Sequence, residues 1–240
     1  MGETVFRLFV SSPGDVPAER ARAEAVVEKL NAEFKDRARF DAEFWEEHAY
    51  TADETYQEQI PEAAEFDLVI AIFKSRLGSP LPPEFKRQSD GEPYPSGTAY
   101  EVLSAIAKRH GGASLPDIYV FRHPRDPVVS LDDPHKAEIE RQWAALKGFF
   151  ERWFKTPSGE FVAAFNPYDS PDDFAEQVER CLREWLEKRG IVAREIWDRA
   201  RFGSPFPGLA AFDEKREPAV AAGSLEIPIS HLARRESGVA

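Results

Sequence analysis

A chain of 240 residues with a formal net charge of −12 and a single cysteine, Cys181, has firm bounds. The acidity disfavours nucleic acid as the main ligand, because phosphate backbones require clustered Lys and Arg, whereas a small anion needs only one local positive field. One cysteine excludes an internal disulfide and fits a reducing compartment.

Strands and helices alternate along the chain. Val5 to Val10 reads as a strand, and Ser11-Ser12-Pro13-Gly14-Asp15 is turn chemistry. Asp15 is either the cap of the next helix, with Pro17 tolerated in its first turn, or an acid at the ligand site. That helix carries Ala23, Val26, Val27, Leu30 and Phe34 at helical spacing. Phe40 to Trp45 alternates as a second strand, followed by an acidic loop, Glu46 to Glu54. Tyr56 to Ala64 reads as a short helix that Pro61 breaks or kinks. Leu68 to Phe73 (LVIAIF) is a continuous apolar run, the mark of a strand buried on both faces of a parallel sheet.

Residues 74–97 form a long loop rich in Pro, Ser and Gly. Thr98 to Arg109 reads as a helix with Ala99, Leu103, Ile106 and Ala107 on one face, and Ile118 to Phe121 as a fourth strand. Pro134 to Phe154 is a long amphipathic helix with Ile139, Trp143, Leu146, Phe150 and Trp153 inward. Phe161 to Phe165 is the expected fifth strand, and Pro171 to Arg189 the closing helix, on Phe174, Val178, Leu182, Trp185 and Leu186. The expectation is an α/β fold: a five-stranded parallel sheet, doubly wound, in a three-layer sandwich. It spans residues 1–189, and residues 190–240 read as a helical extension and a proline-containing linker or tail.

The five histidines form no short-spaced metal motif. The N-terminus has no basic stretch followed by an apolar run, and the run at 68–73 is too short to span a bilayer. These features lead to the expectation of a soluble cytoplasmic protein without a metal or a membrane partner.

In a doubly wound sheet, ligands bind at the carboxyl ends of the strands where the strand order switches. Residues 11–15, 46–54 and 74–97 are expected to meet there. Backbone N–H groups of the 11–15 turn, with Arg20 or Arg76, would suit a pyrophosphate. Ser11 and Ser12 are either turn residues or ligand contacts. Trp45 is either core or cleft rim, and Arg76 either a ligand contact or a surface ion-pair partner. Thr98-Ala99-Tyr100-Glu101 fits a capping box in which Glu101 satisfies the N–H of Thr98, so Glu101 is either a cap or a functional carboxylate.

Three stretches, VFRLFVSSPGDVPAER (5–20), FDLVIAIFKSRLGSP (66–80) and SGTAYE (96–101), together resemble the TIR-like domains found N-terminal to bacterial STAND/NACHT NTPases, distant relatives of Toll/interleukin-1 receptor domains. GSPFPGLAAFDEKREP (203–218) is similar to the linker that enters the NTPase module, although no phosphate-binding GxxxxGK[ST] loop follows. The resemblance implies either an NAD⁺ glycohydrolase or a non-catalytic self-association module. It also implies homo-oligomerisation and a STAND-type NTPase or sensor partner, in bacterial conflict signalling. Glu101 matches the family's catalytic glutamate, and Gly97 stands where enzymatic relatives often carry Trp. Trp45, Tyr94 or Tyr100 would then supply the stacking surface. NAD⁺ is the implied substrate, with no bound cofactor. Nucleoside deoxyribosyltransferases, which share the sheet and use a glutamate at a ribose carbon, are the alternative enzymes.

Overall fold

The computed structural model describes residues 2–44, 59–87, 90–156, 158, 160 and 163–192. Trp45, the acidic loop 46–54, residues 56–58 of the expected helix at 56–64 and the tail from 193 onward lie outside them, and the described end of that helix is a short 3-10 turn, Ala63–Glu65. Five parallel strands, β1 (Thr4–Ser11), β2 (Ala38–Phe44), β3 (Leu68–Phe73), β4 (Asp117–Arg122) and β5 (Asn166–Pro167), pair in the order β2-β1-β3-β4-β5. Helices α1 (Pro17–Glu33) and α4 (Pro171–Glu187) cover one face, and α2 (Gly97–His110) and α3 (Lys136–Phe154) the other. The fold is therefore the expected doubly wound α/β sandwich, of flavodoxin-like strand order. Among the described residues no helix is long and apolar enough to cross a membrane.

Side-chain alternation sorts the strands onto the two faces. Leu8, Val10, Leu68, Ile70, Ile72 and Phe121 pack against α1 and α4. Phe9, Val69, Ala71, Phe73 and Val120 point to the α2–α3 side. Every residue of β3 is buried, which explains its unbroken apolar run.

Helix α1 begins one residue later than a cap at Asp15 requires. Val16 is the N-cap and makes no side-chain cap bond. Pro17 at N1 has no N–H to satisfy, which lowers the demand for a capping side chain. At α4 the cap is reciprocal: Ser170 Oγ accepts from the Asp173 N–H (3.1 Å) and Asp173 Oδ2 accepts from the Asp169 N–H (2.8 Å).

The fifth strand sits later than expected and is only two residues long. Pro167 has no N–H to continue the ladder, so the edge stops there. Phe165 instead packs against Phe150 and Phe154. The buried face of α2 is also rotated from the expected stripe. It holds Thr98, Glu101, Val102 and Ala105 beside Ala99 and Leu103, and Ala107 is exposed.

The long 74–97 loop is braced. Gln142, buried on α3, accepts from the Leu77 and Gly78 N–H groups (3.1 and 3.3 Å) and donates to the Gly78 carbonyl (3.2 Å). Gly78 has φ +113°, and a Cβ there would lie 3.0 Å from Thr98 Oγ1, so the turn requires glycine. Gln142→Leu is expected to leave these backbone groups unsatisfied and cost about 1–3 kcal/mol, measurable by urea unfolding.

A charged clamp joins α1 to α4. Arg183 meets Glu33 (2.6 and 2.5 Å) and Glu179 (3.0 and 2.8 Å). The Arg183 hydrogen bond holds Glu33 below its usual range. Burial pushes Glu179 up, but hydrogen bonds from Lys29 and Arg183 bring it below its usual range. A depressed folded value means the clamp stabilises fully above the ordinary glutamate pKa, about 4.3, and fades as pH falls through the folded values. Arg183→Met is therefore expected to lose on the order of 1 kcal/mol at neutral pH. The difference from wild type should shrink toward zero in acid, as followed by thermal melts across pH.

Candidate functional site

The strand order reverses between β1 and β3. The chain leaves β1 toward α1 on one face and leaves β3 toward α2 on the other, and the carboxyl edge at such a switch point is where ligands of doubly wound sheets bind. Ser11 ends β1 there. Leu8 and Val10 point to the α1 side, so alternation turns Ser11 toward α2. Its hydroxyl donates to Glu101 Oε2 at 2.6 Å, in a buried contact between residues 90 apart in the chain.

Glu101 is thus not part of a capping box. Ser96 caps α2, its Oγ accepting from the Ala99 N–H at 3.1 Å and donating to the Leu77 carbonyl at 2.7 Å. With the cap moved two residues upstream, the Glu101 carboxylate is turned to the end of β1. It is 4% exposed.

The other expected site residues fall into separate groups. Arg20 donates to Ser12 Oγ (3.1 Å) and to the Pro13 carbonyl (3.0 Å), bracing the β1–α1 turn. Asp15 Oδ2 accepts from the Ser75 N–H (2.9 Å) and hydroxyl (2.6 Å), tying that turn to the end of β3. Ser11, Ser12, Asp15 and Arg20 therefore gather at the carboxyl ends of β1 and β3. Arg76 follows on the β3 side with a buried Nε that has no hydrogen-bond partner among the described residues. Its charge is one of the smaller contributions holding the α3 carboxylate Glu138 low, after the Arg141 and Gln142 hydrogen bonds. Tyr100 lies on another side of α2 from Glu101, edge-on to Tyr94 (4.9 Å) and Phe85 (5.7 Å). Burial, then the nearby Glu62, raises its phenol pKa. Trp45 is outside the described residues.

The sequence reading missed a cluster on the α1 side of the same edge. Glu19, fully buried in the first turn of α1, accepts from Lys74 Nζ (3.1 Å) and from the Tyr168 hydroxyl (3.4 Å). Burial first, then Glu19 and Asp15, raises the Tyr168 pKa strongly. Among the described residues, Glu19 Oε2 and Asp15 Oδ1 are buried without a hydrogen-bond partner. The signal available was a lysine standing directly after the apolar run of β3, with an acid four residues beyond Asp15. Here Lys74 neutralises the Glu19 carboxylate, and Ser75 holds that of Asp15, on the α1 side of the same edge. On the α2 side, a hydroxyl-bonded carboxylate stands in a low-dielectric setting suited to stabilising positive charge.

No protein-family model matches the chain, and no curated protein matches it.

Proposed function

We propose that the chain is a TIR-like effector domain, of the kind found N-terminal to bacterial STAND NTPases, that cleaves the nicotinamide–ribose bond of NAD⁺ in the cytosol. In this reaction the C–N bond breaks with its electron pair going to the pyridinium nitrogen, which leaves as neutral nicotinamide. Water adds to the ribose carbon, giving ADP-ribose and a proton. Positive charge builds on the ribose in the transition state, and a nearby carboxylate stabilises it, as in glycoside hydrolysis. Glu101 would supply that charge, with Ser11 holding one of its oxygens. Nicotinamide leaves without protonation, so one carboxylate suffices.

The observation that supports this reading is the Ser11–Glu101 hydrogen bond. It holds the carboxylate at the carboxyl end of β1, where ligands of doubly wound sheets bind, rather than at its own helix backbone. The low exposure of Glu101 favours a second reading: the pair ties α2 to β1 and the domain only self-associates.

Incubating the full chain with NAD⁺ and, in parallel, with free 2′-deoxynucleosides, across protein concentration, separates these readings. Chromatography is expected to show nicotinamide released from NAD⁺, rising steeply with protein concentration. Base released only from nucleosides would instead favour a deoxyribosyltransferase. No turnover of either at any concentration would leave the self-association module.

A further inference from the structure

Thr98, in the first turn of α2, is only 6% exposed, yet its hydroxyl has no hydrogen-bond partner among the described residues. Its Oγ1 remains accessible from outside. In that turn the Ser79 carbonyl accepts from the Gly97 N–H (3.1 Å) and Ser96 Oγ from the Ala99 N–H (3.1 Å). The Thr98 N–H has no partner among the described residues. Two unsatisfied donors of one buried residue, at a helix N-terminus, are matched by an acceptor from outside the chain.

The neighbouring turn permits close approach. Thr98 Oγ1 lies 3.0 Å from where a Cβ at Gly78 would sit. Arg76, two residues before Gly78, makes neither a hydrogen bond nor an ion pair among the described residues. The carboxylate its charge reaches, Glu138, is already bonded by Arg141 and Gln142. No acid stands in the first turn of α2. The start of α1 has the opposite character. Pro17 lacks an N–H there, and Asp15 Oδ1 and Glu19 Oε2 are buried without donors among the described residues. An anion at this edge is therefore drawn to α2 rather than to the 11–15 turn.

We propose that Thr98, the N-terminus of α2 and Arg76 seat the 5′-phosphate of the ribose whose C1′ meets Glu101, so that the domain acts on ribosyl 5′-phosphates and not on free nucleosides. The inference rests on the reaction proposed above and names the part of the substrate that is recognised. Thr98 precedes Glu101 by three residues on one face of α2, about 4.5 Å along the helix axis. A ribose spans a comparable distance from C1′ to its 5′-phosphate, so one sugar can meet both residues. The Thr98 hydroxyl and N–H donate to phosphate oxygens, and Arg76 adds a charge-assisted bond. In NAD⁺ this is the phosphate on the nicotinamide side, and the adenosine half contributes nothing to the seat.

Calorimetric titration of the full chain with ribose 5-phosphate and with ribose tests the seat without turnover, because neither sugar has a base to lose. Ribose 5-phosphate is expected to bind, and ribose to give no measurable heat at the same concentrations. Arg76→Met should weaken ribose 5-phosphate by about 10–100-fold and Thr98→Val by about 3–10-fold, with Thr98→Ser within about threefold of wild type. Arg180→Met, at an exposed arginine of α4, is the charge control and should change nothing. Circular dichroism checks the folds, and Arg76→Met carries the test alone should Thr98→Val fail to fold. Equal binding of the two sugars, binding of neither, or an affinity untouched by Arg76→Met would each overturn the proposal. A wild type that binds ribose 5-phosphate but releases no nicotinamide from NAD⁺ keeps the seat and removes the reaction. Nicotinamide released from its riboside as fast as from NAD⁺ keeps the reaction and removes the seat.

Discussion

Glu101→Gln is expected to cut nicotinamide release from NAD⁺ by about 10²–10³-fold, the loss typical of removing one preorganised electrostatic group. Gln keeps the shape of Glu and still offers a carbonyl oxygen to the Ser11 hydroxyl, which lies 2.6 Å from the carboxylate. What disappears is the negative charge on which the proposed reaction draws. The fold should survive, because replacing a buried charge with a hydrogen-bonded neutral group of equal size removes a desolvation cost. The melting temperature is therefore expected to stay level or rise while kcat/KM collapses. Steady-state rates beside calorimetry check both halves. A variant that keeps full turnover would reduce Glu101 to a tie between α2 and β1, and one that loses turnover only by unfolding would fail the second half.

That pairing shows where reading by sequence alone stops. β3 was legible to the residue because burial on both faces leaves no polar interruption. The stripes of α1 and α4 were legible because Ala23 to Leu30 and Phe174 to Leu186 bury apolar faces against the sheet, although Glu19 interrupts the first turn of α1. The buried face of α2 was not, since it contains Thr98 and Glu101, and a polar pair in the core breaks the very periodicity used to find it. The cap at Ser96 was hidden for a related reason: Thr98-x-x-Glu101 offers the stronger local pattern, and a tertiary bond from Ser96 to the Leu77 carbonyl decides against it. Glu101 itself could be singled out, but its partner Ser11 lies 90 residues away and meets it only through strand register and helix placement. The Glu19–Lys74–Tyr168 cluster is harder still, drawing on residues 55 and 149 apart. Local sequence carries propensity and face, whereas these polar unions are set by topology.

Trp185→Ala is expected to be the most damaging single truncation, costing about 3–5 kcal/mol, as for other fully buried Trp and Phe side chains. The indole is 1% exposed and joins elements that meet nowhere else in sequence. It stands edge-on to Phe6 of β1 at 4.8 Å and tilted to Phe40 of β2 at 6.0 Å. Its Nε1 donates to Asp117 Oδ2 of β4 at 2.8 Å, and the Arg189 guanidinium lies 3.5 Å over its ring. Truncation leaves a large void under three strands and weakens the hold on Asp117, which keeps its contacts with Arg189 and Arg109. Trp185→Phe separates the two contributions. Phenylalanine refills much of the void and forfeits the indole hydrogen bond, so its cost should fall nearer the 1.5–3 kcal/mol of a hydrogen bond to a charged group. Urea midpoints of the two variants check the order. Equal losses would place the stabilisation in the Asp117 bond, and a Phe variant near wild type would place it in packing alone. Because Asp117 opens β4 and Trp185 sits near the end of α4, this contact secures the sheet at the edge opposite the Ser11–Glu101 bond. The Ala variant should therefore lose stability without any selective effect on turnover by the molecules that remain folded.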